Sequence, residues 1–250
     1  MKVLGVVQFK QKRFKLLGIA APWLKALGNL PAAFMGIIYG KPGNGKTEYC
    51  MQLAAYLTNF GKVAWLSYEQ GHGFDLQLAV NRNIDERHTG KFLVIDPEED
   101  IPPGVSLFED LDNFLSKRNS PDFVFIDSLD YTRFTWAEYL ALKKKHGKKK
   151  GIIFISHAKG KGPKTNIGEQ IEHDGAFGIF VSKFIAYIHK NRYGGTDDYI
   201  IYEERARQLN PLYFEQKAMS NAPKEKAPAG RKKKKVDPEQ LEPEKKEVIE

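Results

Sequence analysis

The feature that most constrains the fold is a series of short apolar runs, separated by segments of helical period, between about residues 33 and 202. Runs that are apolar throughout are typical of strands covered by helices on both faces. Their alternation with helical segments is typical of βαβ units. We therefore predict an α/β fold with a mostly parallel, twisted central sheet, helices on both faces and a C-terminal β-hairpin. The runs are 34–39, 63–68, 92–95, 123–126, 152–155, 179–189 and 199–202.

Three helices with readable ends are predicted between these runs. The first extends over residues 47–61, from a threonine to a glycine. The second and third begin with capping boxes at Ser106 and Thr135, each followed three residues later by a glutamate.

Length and composition indicate one main domain with appendages. The chain has 250 residues, 42% of them hydrophobic, which is enough for one sizeable α/β core. We expect a basic lead-in segment packing on the core over residues 1–30 and the core itself over residues 31–215. Residues 216–250 are rich in charge and nearly lack aromatic residues, so we expect a disordered charged tail there.

Charge and cysteine content restrict the partners and the compartment. The net charge of +8 attracts polyanions, but it does not choose among nucleic acid, anionic membrane and acidic protein. The single cysteine, Cys50, excludes an intramolecular disulfide and favours a cytoplasmic protein. Lys25 and two prolines interrupt the apolar region 17–39, so no membrane-spanning helix is expected.

Residues 40–47, GKPGNGKT, fit the pattern G-x-x-x-x-G-K-[ST] between a predicted strand and a predicted helix. Backbone N–H groups of such a loop surround phosphate oxygens, and the helix N-terminus adds positive potential. We predict that this loop binds ATP, with Lys46 on the β- and γ-phosphates and the Thr47 hydroxyl on Mg²⁺. A glycine-rich turn without a ligand is the alternative. The predicted nucleotide-binding residues are Gly40, Lys41, Pro42, Gly43, Asn44, Gly45, Lys46, Thr47 and Glu48.

Hydrolysis requires further polar groups near the phosphates. Asp127 ends the apolar run 123–126, and we predict that it joins Thr47 at the magnesium site. Ser128 follows it, so the carboxylate that activates water must come from elsewhere; Glu69, after the run 63–68, is the candidate. His157 follows the run 152–155 and could sense the γ-phosphate. Each residue also has a purely structural alternative. Asp127 could serve a turn, Glu69 could be a solvated loop residue, and His157 could simply hydrogen-bond to the backbone.

Together these residues resemble the RecA-type ATPases and, within them, the RadA and DnaB helicase branch. The resemblance covers residues 16–215 and implies a P-loop NTPase core that works as a homo-oligomer, either a ring or a filament. It also implies that Glu69 is the catalytic base, that His157 is a sensor, and that Lys190 and Arg192 act in the nucleotide site of a neighbouring subunit. A basic hairpin turn is the alternative for that pair. The motifs are GKPGNGKT at 40–47, WLSYE at 65–69, FVFID at 123–127, FISHAKG at 154–160, IEHDG at 171–175 and KNRYG at 190–194.

The resemblance further implies contact with single-stranded DNA through the segment 158–170. Its Lys159, Lys161 and Lys164 lie among glycines, which predicts a mobile loop suited to phosphate contact; an ordinary surface loop is the alternative. The aromatic segment 129–136 is a possible second such loop, or part of the core. We interpret the lysine clusters 143–145 and 148–150 as a solvated helix end, and the basic run 231–235 as a nucleic-acid tether or a solubility device.

Two departures from the family narrow the hypothesis. With one cysteine and 250 residues, we expect neither the four-cysteine zinc module of RadA proteins nor the extra domains of RadA or DnaB. We expect a solitary motor core, as in bacterial, phage or mobile-element systems. The leading hypothesis is a Mg²⁺-dependent ATPase acting on DNA in recombination, repair or replication. The alternatives are an ATPase that acts on a protein partner, as in clock-type or signalling relatives, a small-molecule kinase, and a nonhydrolysing nucleotide-gated scaffold.

Overall fold

The structure, a computed structural model, describes residues 1–221. Residues 1–211 form one compact unit, and residues 212–250 form a second, of which residues 212–221 are described. The helices are α1 Val6–Lys10, α2 Trp23–Leu27, α3 Lys46–Leu57, α4 Phe74–Asn83, α5 Leu107–Ser116, α6 Leu129–Thr132, α7 Trp136–His146, α8 Asn166–Asp174, α9 Glu203–Leu209 and α10 Pro211–Asn221, with a 3₁₀ turn at Glu86–His88. The strands are β1 Phe34–Gly40, β2 Val63–Ser67, β3 Phe92–Ile95, β4 Phe123–Asp127, β5 Gly151–Lys159, β6 Gly162–Pro163, β7 Phe177–Ser182, β8 Ile185–Asn191 and β9 Tyr199–Ile200.

The strands form one mixed sheet in the order β3-β2-β4-β5-β1-β7-β8-β9, with β6 paired to β5. Strands β1 to β5 and β7 pair in parallel, whereas β8 and β9 add antiparallel pairs at one side. The predicted α/β fold, with its mostly parallel sheet and C-terminal hairpin, is confirmed. The apolar run 179–189 contains two strands rather than one. The chain reverses between them at Lys183 and Phe184, which have φ of 51° and 60°.

The core lies on both faces of the sheet, because every residue of β1, β2 and β4 is buried. On one face, β1 and β2 pack against α2, α3 and α4, whose buried residues include Trp23, Leu53 and Leu76. On the other face the packing partners are α5, α7 and α8. The predicted capping boxes form: Ser106 begins α5 and Thr135 begins α7, and each hydroxyl accepts from the backbone N–H of the glutamate. The first predicted helix is shorter than expected and ends at Leu57.

The two halves of the N-terminal lead-in differ. Residues 1–16 are exposed throughout, including α1. From residue 17 onward the segment packs on the core, and the Trp23 ring stacks on Tyr199 with centroids 4.3 Å apart. Buried aromatic pairs of this kind contribute about 1 kcal/mol beyond their area.

The charged tail predicted for residues 216–250 begins inside a helix. Helix α10 continues to Asn221, so residues 216–221 are helical, whereas we expected them to be disordered. Residues 222–250 lie outside the described residues. Within residues 1–221, none of the helices combines the length and the apolar character needed to span a bilayer.

Candidate functional site

The strand ends predicted to carry polar residues meet at one edge of the sheet, the carboxyl edge, where β1, β2, β4 and β5 end. Gly40 pairs with His157 in the register of β1 and β5, and Asp127 pairs with Ser67 in that of β4 and β2. A cavity of about 340 Å³ opens there. It is lined by Lys41, Pro42, Gly43, Gly45, Lys46, Thr47, Glu48, Glu69, Gln70, Asp127, His157 and Phe184.

The glycine-rich loop 40–47 forms one wall of this cavity. Gly43 and Gly45 have φ of 73° and 91°, a region that favours glycine. A Cβ on Gly40 would lie 2.5 Å from the Val181 carbonyl oxygen, so only glycine fits there. Gly45 is also the N-cap of α3 and offers no side chain to cap its first turn. The backbone N–H groups of that turn remain available for an anion.

The turn between β7 and β8 holds this loop in place. The backbone N–H of Lys183 donates to Asn44 Oδ1 at 2.9 Å, and that of Phe184 donates to the Asn44 carbonyl at 3.0 Å. The Phe184 ring covers Gly45, where an added Cβ would lie 2.8 Å from it. Sequence reasoning missed Phe184, because it lies 139 residues beyond Gly45 in a run that looks like a strand interior.

Lys46 and Asp127 are the buried charges of the cavity. Lys46 is 8% exposed, and its Nζ donates to the Ser156 carbonyl at 3.2 Å. Asp127 is 6% exposed, and burial raises its pKa to about 7; the Lys46 ammonium opposes this rise and the Glu69 carboxylate adds to it. A carboxyl group at such a site favours a cation beside it, since a cation stabilises the ionised form. The Asp127 and Thr47 oxygens are the hard ligands that Mg²⁺ prefers.

Glu69 and His157 lie next to each other in the wall of the cavity. The backbone N–H groups of Tyr68 and Glu69 donate to the Asp127 carbonyl at 2.6 and 3.2 Å, which fixes Glu69 just beyond β2. The Glu69 Oε2 lies 3.3 Å from His157 Nε2, with both side chains about one-fifth exposed. The backbone N–H of His157 donates to Asp130 Oδ2 at 2.7 Å. The arrangement places a carboxylate and an imidazole opposite the glycine-rich loop.

Glu48 lines the cavity, but its charge is already satisfied by α4. Its carboxylate accepts from the Arg82 guanidinium and, at 2.7 Å, from Asn83 Nδ2. It therefore fastens α3 to α4, while its role toward a nucleotide stays a prediction.

Lys190 and Arg192 do not reach the cavity of their own chain. They lie near the opposite end of the sheet, because Asn191 pairs with Phe177, the first residue of β7. Lys190 Nζ donates to the carbonyls of Glu172, at 2.7 Å, and His173 at the end of α8. Arg192 Nη2 lies 3.4 Å from the same His173 carbonyl. Desolvation lowers the pKa of Lys190, and the Arg192 charge adds to this effect.

The lysines predicted to contact DNA are on an ordered hairpin rather than the expected mobile loop. Strand β6 pairs with the end of β5, and Gly160, with φ of 65°, lies in the turn. Helix α8 follows within three residues, and the Thr165 hydroxyl caps it by accepting from Gly168 N at 3.3 Å. Glycines that we interpreted as flexible thus serve a turn and close packing. The side chains of Lys159, Lys161 and Lys164 are exposed.

The aromatic segment 129–136 mostly belongs to the core. Phe134 is 6% exposed, and Trp136 stacks on Tyr139 with centroids 4.9 Å apart. Tyr131 is 48% exposed, and its ring lies 6.4 Å from that of His157. Core packing therefore accounts for two of the aromatic side chains in this segment.

Comparisons with known proteins identify the fold. No family model matches the chain, and no curated protein matches it. The flagellar accessory protein FlaH from Methanocaldococcus jannaschii is 21% identical over 74% of this chain and 91% of its own, with a TM-score of 0.52. A KaiC-like protein from Pyrococcus horikoshii is 18% identical over 75% of this chain and 93% of its own, with a TM-score of 0.54. These similarities show that the chain shares its α/β fold with both proteins, and the RadA and DnaB branch is not confirmed by them.

Proposed function

We propose that this chain is a Mg²⁺-dependent ATPase that works as a homo-oligomer and acts on single-stranded DNA. One observation carries the proposal: Lys46, Glu69 and Asp127 come from three separate parts of the chain and meet in one cavity beside a helix N-terminus. A glycine-rich turn that served only to connect β1 to α3 would not need buried charges facing it.

Nucleotide binding follows from the wall of the cavity. The backbone N–H groups at the start of α3 bind the phosphates, and Lys46 exchanges the Ser156 carbonyl for phosphate oxygens. Thr47 and Asp127 would hold Mg²⁺, which would supply charge neutralisation at the phosphates. Beside Mg²⁺, Asp127 would release its proton to solvent and be ionised, because a cation lowers the pKa of an adjacent carboxyl group.

Water activation is assigned to Glu69. Its carboxylate accepts a proton from the attacking water while the water oxygen bonds to the γ-phosphorus and the bond to the ADP oxygen breaks. His157, 3.3 Å away, orients this carboxylate and can report the presence of the γ-phosphate. Glu69 is the one carboxylate that we assign as the base, because Asp127 is assigned to the metal.

The positions of Lys190 and Arg192 favour a role in another subunit. Both side chains lie away from their own cavity, so they can neutralise transferred phosphoryl charge only in a neighbour's site. In the isolated chain they are held on the carbonyls at the end of α8. Assembly would then require these contacts to exchange for phosphate contacts, which links hydrolysis to oligomerisation.

The DNA contact is assigned to Lys159, Lys161 and Lys164. Their hairpin continues directly from β5, two residues beyond His157, so a strand bound there lies close to the γ-phosphate sensor. Exposed ammonium groups without an aromatic partner on the hairpin suit phosphate contact of low sequence dependence.

A second candidate is an ATPase that acts on a protein partner. One of the similar solved structures is a flagellar accessory protein, which favours this alternative. Single-stranded DNA should then leave the rate of turnover unchanged.

ATP turnover by the purified chain tests the proposal. We expect Lys46→Ala to lose nucleotide binding, and Glu69→Gln to bind ATP while turnover falls by about 10²- to 10⁴-fold. Glu86→Gln, an exposed glutamate on the 3₁₀ turn, is the matched control and should behave as the wild type. Normal turnover by Glu69→Gln would refute the assignment of the base.

Two further measurements test assembly and DNA. Mixing Glu69→Gln with Arg192→Ala should restore part of the activity, because each subunit can supply what the other lacks. Full activity in a dilute monomer would contradict the shared site. Single-stranded DNA should raise the turnover rate at low salt, and the increase should disappear as salt rises.

A further inference from the structure

We infer that a second nucleic-acid site lies at the amino edge of the sheet, where β1, β4 and β5 begin, and that it binds single-stranded nucleic acid in a groove of about 570 Å³. This inference does not rest on the proposed ATPase activity. Strand β1 has seven residues, so the groove lies about 20 Å from the nucleotide cavity at about 3.3 Å per residue. The two sites can therefore be tested separately.

Two rims of the groove carry positive charge. Lys12 and Lys15 lie on the N-terminal rim, and Lys148 and Lys149 lie on the turn between α7 and β5. All four side chains are exposed, and none forms an ion pair with a carboxylate of the described residues. The groove contains one acid, Asp122, whose carboxylate accepts from the Lys62 backbone N–H at 2.9 Å. Four ammonium groups facing one carboxylate form a site for a polyanion.

Hydrogen bonds attach each rim to the fold next to its lysines. On the N-terminal rim, the Ala32 N–H donates to the Lys15 carbonyl at 2.8 Å and the Leu17 N–H donates to the Leu30 carbonyl at 2.9 Å. On the other rim, Lys150 is buried, contrary to the expected solvated helix end. Its Nζ donates to Ser120 Oγ at 2.8 Å and to the Pro121 carbonyl at 2.7 Å.

The floor and one exposed ring explain why the ligand is single-stranded. Phe60 and Ala33, both half-buried, form an apolar floor between the rims, and Phe123, which also lines the groove, is 1% exposed. Phe14 is 64% exposed beside it, with the Lys12 ammonium 4.9 Å from its ring centroid. Unstacked bases can contact such a surface while their phosphates meet lysines on both sides. A duplex keeps its bases stacked and could use only the lysines.

Binding of a fluorescein-labelled oligo(dT) of about 20 nucleotides, longer than one such site requires, tests the inference in the absence of ATP. The variants are Lys12→Ala with Lys15→Ala, and Lys148→Ala with Lys149→Ala. Each pair should weaken binding at least tenfold at 0.1 M salt, and should lower the slope of log K against log salt by about 1.4, or 0.7 per lost phosphate contact. The matched control, Lys25→Ala with Lys91→Ala, removes the same charge from other exposed positions and should retain the wild-type slope.

Phe14→Ala separates stacking from charge. It should weaken binding roughly fivefold to 100-fold with no change in salt slope, and Phe14→Tyr should restore it. All variants keep residues 222–250, so any contribution of that segment cancels. The substituted side chains are exposed, so the variants should unfold at wild-type urea concentrations.

The outcomes distinguish this site from the hairpin. If the groove variants bind oligo(dT) more weakly and a variant that replaces Lys159, Lys161 and Lys164 binds it normally, the inference is supported. DNA contact through those three lysines is then refuted. Wild-type binding by both groove pairs, with loss in a variant that replaces those three lysines, overturns the inference and leaves the proposed function intact. Equal binding of poly-glutamate of the same charge would also overturn it, because the partner would then be an acidic protein.

Discussion

Replacing Asp127 with asparagine should stabilise the protein at alkaline pH, in the absence of nucleotide and Mg²⁺. Burial raises the pKa of Asp127 from its ordinary 3.8 to about 7. The folded protein therefore binds a proton there that the unfolded chain has already released above pH 4. Stability consequently falls as pH rises from about 4 to 7. The full difference corresponds to about 4 kcal/mol, at about 1.4 kcal/mol per pH unit.

The size of the effect should depend on pH in a defined way. At pH 8 the wild type carries the whole cost of the buried carboxylate, so Asp127→Asn gains up to about 4 kcal/mol. At pH 5 Asp127 is protonated in the folded protein but ionised in the unfolded chain, and this difference favours unfolding by about 1.6 kcal/mol. Asp127→Asn removes the difference, so at pH 5 it gains about 1.6 kcal/mol. The gain should thus shrink by about 2 to 3 kcal/mol between pH 8 and pH 5. The attraction between Asp127 and Lys46 is already contained in the pKa of about 7, so it changes neither gain.

Urea unfolding followed by circular dichroism at pH 5 and pH 8 measures this difference. Asp112→Asn is the matched control with the opposite sign. Burial opposes ionisation of Asp112, but hydrogen bonds from Lys145 and His146 outweigh it and hold its pKa below the ordinary value. Its carboxylate therefore stabilises the fold above pH 4, and the asparagine variant should be less stable at both pH values. An equal gain for Asp127→Asn at pH 5 and pH 8 would refute the reasoning.

Three further predictions concern stability and reactivity. Gly45→Ala should cost about 1–2 kcal/mol in urea unfolding and weaken nucleotide binding, because φ is 91° and a ring lies 2.8 Å from the new Cβ; Gly43→Ala, where φ is 73° but no atom lies within 4 Å, should cost less. Trp23→Ala should cost about 3–5 kcal/mol, and Leu24→Ala, 40% exposed, should cost far less; equal costs would show that α2 does not pack on the core. The Cys50 thiol is buried and its pKa is raised by burial, so a disulfide reagent at pH 8 should react with it only after unfolding.

Much of the fold was predictable because it depends on local patterns. The short apolar runs predicted the parallel strands, and the two capping boxes predicted where α5 and α7 begin. The glycine-rich loop was readable for the same reason, since a strand, a flexible turn and a helix start are contiguous in the chain. The convergence of Glu69, Asp127 and His157 followed from a topological rule, namely that parallel strands end at the same edge of a sheet.

The expectations that failed depended on contacts with distant segments. The glycines of 158–170 suggested a mobile loop, but pairing of β6 with β5 and the capping of α8 order that segment. Lys150 suggested a solvated helix end, yet acceptors some 30 residues earlier in the chain bury its ammonium group. Residues 216–221 suggested disorder from composition but belong to a helix. Composition and spacing do not record which distant surface a residue will meet.

Local sequence patterns were enough to predict the strands, the glycine-rich turn and the acids at the strand ends, because each is encoded in a few contiguous residues. Tertiary structure alone decided that Phe184 covers Gly45, that Lys190 rests on the end of α8, and that burial shifts the pKa of Asp127. It also brought the lysines of the N-terminal rim opposite those of the turn between α7 and β5. These properties depend on distance and dielectric environment, and both are set only when segments far apart in the chain come together.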